Sequence, residues 1–166
     1  MYDITRQNCK NTLLCIYQRR QASTTLARAG VRKLKSMYIK EFDAWNTVKK
    51  RVDEEKRQVY IRAGEVRWVS IGVNVGSEID GKGVSFTRPA LVLHVMGSHL
   101  ALVVPLSTKV KVRAGYVPFE WKGEQTSLCI HQLKIVSQKR IFARLGKISK
   151  KRLSDTKTEV TTFFNL

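Results

Sequence analysis

Acidic residues are scarce in this chain. Only 13 Asp and Glu stand against 31 Lys and Arg, a formal net charge of +18 over 166 residues. So one-sided a balance gathers polyanions, nucleic acid first among them. A ribosome-associated or membrane-surface protein would share it. Cysteine is scarce too: Cys9, Cys15 and Cys129 are odd in number and contain no C-x-x-C pair. That argues against a disulfide framework and a zinc knuckle, and fits reduced thiols in a cytoplasmic protein. Long apolar runs are missing; none approaches the ~20 residues that cross a bilayer, so a soluble chain with no membrane partner is expected. The patch from Leu13 to Tyr17 is short, contains Cys15 and leads into Gln18-Arg19-Arg20 without a small-residue cleavage site, so no signal peptide is expected. Internal repeats and low-complexity tracts are absent.

What is present begins weakly. Residues 1–36 carry eight Lys or Arg and one acid, Asp3, with apolar residues at neither helical nor strand spacing. A disordered basic extension is expected, either inert, or an RNA-binding arm, or the product of a mis-assigned start with Met37 as the true one. Residues 37–60 read as a separate unit. Ile39, Phe42, Trp45, Val48 and Val52 recur three or four apart, an amphipathic helix to about Arg57 that packs on the following domain.

Residues 61–166 alternate short strands with turns. Strands are expected at Glu65–Ile71, Pro89–Val95, His99–Leu106, Tyr116–Trp121 and Ser127–Gln132, with a tight hairpin at Met96-Gly97-Ser98. Ser137 is expected to cap a short helical turn reaching Arg144, and Ser149 to precede a last helix with Leu153, Val160, Phe163 and Phe164 on its apolar side. The expected fold is mainly β with flanking helices, a small and strongly bent barrel.

Six blocks stand in a telling order: Gly64-Glu65-Val66 with Trp68; Gly76-Ser77-Glu78; Arg88-Pro89-Ala90-Leu91-Val92; Val104-Pro105-Leu106-Ser107-Thr108; His131-Gln132-Leu133-Lys134; and Arg144-Leu145-Gly146-Lys147-Ile148-Ser149. Together they resemble the MazF/PemK family of toxin endoribonucleases over about residues 64–164. The resemblance implies an SH3-like barrel of the kind shared with topoisomerase-poisoning toxins. It also implies a homodimer, metal-independent cutting of single-stranded RNA without a cofactor, and neutralisation by an acidic antitoxin, with operator DNA bound through that complex.

Such cleavage has definite needs. The ribose 2′-hydroxyl attacks phosphorus, so a base takes its proton, an acid protonates the leaving oxygen, and a cation meets the phosphorane charge. Arg88 fits the cation by resemblance and chemistry; otherwise it pairs with Glu78 or faces solvent. Ser107, then Thr108, match the family's hydroxyl pair, although strand-end hydroxyls are also ordinary structure. His131 stands where many relatives carry an acid. It is either a proton-transfer group, imidazole titrating near neutrality, or a strand-end residue satisfied by backbone.

Lys134, in place of an arginine, keeps charge without the bidentate fork, and Gln132 beside it is a further RNA-contact candidate. Glu78 opens a loop that Gly81 and Gly83 would make mobile, with Lys82 at its tip as an RNA contact or a solvated charge. Trp121 is the expected base platform, whereas Trp68 is expected in the core or a dimer interface. His94 is a turn neighbour or faces the groove. Other readings are a barrel toxin that binds a protein such as a topoisomerase, and a catalytically weakened nucleic-acid-binding domain.

Overall fold

The computed structural model describes residues 39–56 and 59–166. The expected extension over 1–36, Cys9, Cys15, the alternative start at Met37 and a helix end at Arg57 all lie outside them. Helix α1 (Phe42–Glu54) is followed by strands β1 (Glu65–Ser70), β2 (Thr87–Met96), β3 (Leu100–Ser107), β4 (Tyr116–Trp121), β5 (Glu124–Cys129), β6 (Lys134–Ser137) and β7 (Ile141–Lys147), then helix α2 (Lys150–Phe164). Every pairing is antiparallel, in the order β4-β5-β3-β2-β1-β7.

β3 bends the sheet into a barrel. One edge ladders with β2 throughout, from Ala90↔Pro105 to Met96↔Leu100, across the hairpin turn at Gly97. The other edge is shared: Leu100–Val103 pair with β6, and Leu106–Ser107 with β5. Pro105, which has no N–H to donate, sits where the partner changes.

The unbroken apolar run Ala90-Leu91-Val92-Leu93 follows from this wrapping, because β2 is buried on both faces. Ala90 and Val92 join Val69, Ile71, Val103, Val136 and Ile141 in one core. Leu91 and Leu93 join Val66, Val104, Leu106, Phe119, Leu128 and Val160 in another, which α2 closes. A third, small cluster of Trp45, Val73 and Phe86 seats α1 against the loop between β1 and β2. Of the expected α1 stripe, Trp45, Val48 and Val52 pack inward, while Ile39 and Phe42 stay exposed.

Two expectations are corrected. Ser137 does cap a turn, its Oγ accepting from the Lys139 N–H at 3.3 Å, but the turn is a single 3-10 one over Gln138–Arg140 and the chain then re-enters the sheet as β7. The strand expected to reach Gln132 ends at Cys129, and Ile130–Gln132 form another 3-10 turn. Ser149 caps α2 as expected, accepting from the Arg152 N–H at 3.1 Å. Phe163 and Phe164 lie beyond the buried side of that helix, which is Leu153, Thr156 and Val160.

A buried ion pair fastens β1 to its surroundings. Glu65 Oε2 accepts from Arg67 Nε at 2.8 Å and from the Arg62 N–H at 3.2 Å, and Arg67 also donates to the carbonyls of Phe142 and Tyr60. Burial pushes the Glu65 carboxyl up, but the Arg67 and Arg62 bonds and the charges of Arg67 and Arg144 outweigh it and hold the group below its ordinary value. A carboxyl held low contributes stability that is complete above the ordinary carboxylate range and is lost as pH falls through the lowered value. Glu65→Gln should therefore cost about 3 kcal/mol at neutral pH, since it strands a buried guanidinium. The gap to wild type should narrow below about pH 4. Denaturant titrations across pH check this; a gap that does not narrow in acid would refute it.

Candidate functional site

Arg88, the second residue of β2, emerges where the long β1–β2 loop returns to the sheet. Its Nε and Nη2 donate to the Asp80 carbonyl at 3.0 and 2.8 Å, and its Nη1 to the Leu106 carbonyl at 3.3 Å. Three of the five guanidinium N–H groups are thereby spent on main chain, which leaves one on each Nη. Glu78 is not its partner: it pairs with Lys134 at 3.1 Å. Burial lowers the Arg88 pKa from its ordinary value, with Cys129, Asp80 and Tyr116 acting in the opposite direction. An arginine starts so high that it stays charged. Burial also pushes the neighbouring Cys129 thiol up, against Arg88 and Lys111, so it remains a neutral thiol.

The cleft beside Arg88 has a volume of about 550 Å³. Ser107, Thr108, Lys82, Trp121 and Trp68 line it together with Arg88, and Lys122 adds a cation against the single acid Glu124. Five residues expected at the site from sequence, Arg88, Ser107, Thr108, Lys82 and Trp121, thus meet on one surface. Ser107 ends β3 opposite Ser127, and its Oγ accepts from the Lys109 N–H at 3.2 Å.

The remaining candidates lie outside that lining. Gln132 Oε1 accepts from the Ile79 N–H at 3.0 Å and Lys134 holds Glu78, so both clasp the β1–β2 loop. His131 is half-buried, its ring packed on Tyr116 at 4.7 Å between centroids. Its Nδ1 lies 2.7 Å from the Gly115 carbonyl. A carbonyl only accepts, so Nδ1 carries the proton, and neutral His131 keeps its lone pair on Nε2. Gly115 permits this approach: it sits at φ +83°, and a Cβ there would fall 2.5 Å from Nδ1. The Tyr116 ring in turn takes the Lys111 ammonium at 4.9 Å on its face. His94 is exposed and does not line the cleft.

Two expectations about this region change, Trp68 as a core residue and Gly81 as a source of loop mobility. Trp68 is not core; it is 38% exposed and lines the cleft. Trp121 also lines it but is half-buried, stacked on Phe119 at 6.1 Å and pressed on Gly146. Gly81 is a packing glycine: it is buried, and a Cβ there would meet the Phe86 carbonyl oxygen at 1.7 Å. Asp80 and Tyr116 were not singled out from sequence, and neither a carbonyl acceptor nor a ring neighbour leaves a motif.

Among the described residues no helix is long and apolar enough to cross a membrane. A family model described as PemK-like, MazF-like toxin of type II toxin-antitoxin system matches residues 62–164. Among solved structures, MazF (Form-I) from Deinococcus radiodurans is 19% identical, with 65% of this chain and 100% of that chain covered and a TM-score of 0.53. An endoribonuclease in complex with its cognate antitoxin, from Mycobacterial species, is 14% identical over 64% of this chain and 97% of that chain, at a TM-score of 0.49. No curated protein sequence matches.

Proposed function

We propose, for a chain that belongs to the PemK-like, MazF-like toxin family of type II toxin-antitoxin systems, that it is an endoribonuclease cutting single-stranded RNA by attack of the ribose 2′-hydroxyl. The observation that carries this reading is the cleft itself. A half-buried arginine with two spare N–H groups, a hydroxyl at a strand end and two indoles share one surface. Arg88 would grip the scissile phosphate and meet the charge that develops on it. Ser107 and Thr108 would hydrogen-bond phosphate oxygens, Lys82 and Lys134 would attract the backbone, and Trp68 and Trp121 would stack bases.

The same reading includes a cytoplasmic homodimer and an acidic antitoxin that competes for the cleft, with operator DNA reached through their complex. One feature supports the dimer: strands β4 and β7 end the sheet, and edge strands call for cover. Purified protein incubated with a long RNA in the presence of a chelator should yield defined fragments bearing 2′,3′-cyclic phosphate and 5′-hydroxyl ends. Intact RNA would overturn the proposal and favour a barrel that binds a protein target.

His131 takes the proton-transfer role in this scheme through its free Nε2. His131→Gln keeps a hydrogen-bonding side chain but no basic nitrogen to take up and release a proton, and general acid–base catalysis contributes ~10²-fold or more. The variant should therefore slow cleavage by about that factor. An unaltered rate would reduce His131 to a residue that orders Gly115 and Tyr116.

A further inference from the structure

The loop that delivers the Asp80 carbonyl to Arg88 is fastened from outside the span that matches the family, which begins at residue 62. Lys40, just ahead of α1, places its ammonium 3.3 Å from Asp80 Oδ2. It also donates to the carbonyl of Gly76 at 3.1 Å and to that of Asn74. All three ammonium donors are thus directed into one turn. Asp80 completes the ring, because its Oδ1 accepts the Asn74 N–H at 2.7 Å while Asn74 Nδ2 donates to the Ile79 carbonyl at 2.7 Å.

The side chains of Lys40 and Asp80 are only 21% and 17% exposed. Their pairing is therefore less screened than a surface ion pair, and its hydrogen bonds are charge-assisted. The next helical residues secure the loop's two ends. Trp45 packs edge-on against Phe86 at 5.8 Å and against Gly72, whose N–H donates to the Phe86 carbonyl while its own carbonyl accepts from Gly81. These contacts hold both flanks of the residue whose carbonyl takes two of Arg88's donors.

We propose that Lys40 is a positioning residue for Arg88: its ammonium braces the 74–80 turn, so that the Asp80 carbonyl holds the guanidinium at the cleft. The catalytic part of this proposal rests on the nuclease reading above, whereas the brace stands on contacts within the chain. Lys40→Met keeps the apolar stem and removes the charge; Lys40→Arg keeps the charge and the donors. Asp80→Asn provides a second way to break the pair if Lys40→Met fails to fold.

In the full chain, Lys40→Met and Asp80→Asn should lower kcat about tenfold with little change in KM, as expected when a catalytic group is misplaced rather than lost. Lys40→Arg should restore most of the rate. A second measurement does not depend on RNA: solvent exchange of the Arg88 Nε–H, followed by NMR, should accelerate about tenfold in Lys40→Met and return toward wild type in Lys40→Arg. Unchanged Arg88 exchange overturns the proposal whatever happens to the rate, and so does faster exchange with undiminished kcat. If the wild type cuts no RNA at all, the nuclease reading falls and takes the catalytic role with it, while the exchange data still decide the brace.

Discussion

Arg88→Ala is expected to reduce RNA cleavage by ~10²-fold or more, the usual cost of losing a preorganised charge aimed at a transition state. The chain should remain folded. Arg88 is half-buried, and its removal leaves two carbonyls, those of Asp80 and Leu106, without these donors. A stability loss of about 1–3 kcal/mol should accompany the loss of activity. Arg88→Lys separates charge from geometry. An ammonium can attract phosphate but cannot span the Asp80 carbonyl and substrate together, so this variant should bind RNA with nearly normal affinity and cut it slowly. Cleavage by Arg88→Ala within threefold of wild type would remove the arginine from the mechanism and leave the cleft as a binding surface.

Trp45→Ala should be the most destabilising single change in the N-terminal helix, by about 3–5 kcal/mol. Trp45 is 6% exposed and fills the space beside Gly72, with Phe86 on one side and the Arg140 guanidinium 5.1 Å from its ring. Phe86 holds a left-handed φ of 48°, an unfavourable conformation that the tryptophan contact helps to maintain. Urea titration of the variant would measure the cost. A loss under about 1 kcal/mol would mean that α1 lies on the barrel without contributing to it.

Much of the barrel was legible because its patterns are local. The apolar stretch Pro89–Val95 announced a strand, Gly97 a hairpin, and Ser149 a helix start. β6 and β7 were missed for a physical reason. Their segment is interrupted by a real capping signal at Ser137, and β7 lies at the end of the sheet, where its ladder with β1 shifts register at Val66/Arg67 and again at Arg67/Val69. Such shifts break the period of two on which a strand reading depends. They also explain Trp68: Glu65, Val66 and Arg67 are all buried before it, so simple alternation misplaced its side chain.

At the site, the residue types that carry charge or hydroxyls could be picked out in advance, and Arg88, Ser107, Thr108, Lys82 and Trp121 do share a cleft. The partners that aim them were not legible. A main-chain carbonyl such as that of Asp80 has no side-chain signature, and Lys40 meets Asp80 only after a helix and a strand have intervened. His131 was left open between two roles by its sequence. The Gly115 contact fixes which ring nitrogen is available, something spacing alone cannot reveal.

The double partnership of β3 imposes an order on assembly. Both β5 and β6 ladder onto the same strand, whose opposite edge is taken by β2 across a turn of a few residues. Closing that hairpin loses little chain entropy, whereas the β1–β7 ladder must bring together opposite ends of the domain. The folding nucleus is therefore expected in β2 and β3, with β7 docking after the rate-limiting barrier, and φ-values measured in β7 should be near zero. Loosening β7 would accelerate unfolding and leave the folding rate almost untouched. Because Trp121 rests on Gly146 of β7, one wall of the cleft takes its final form only after the chain has crossed that barrier.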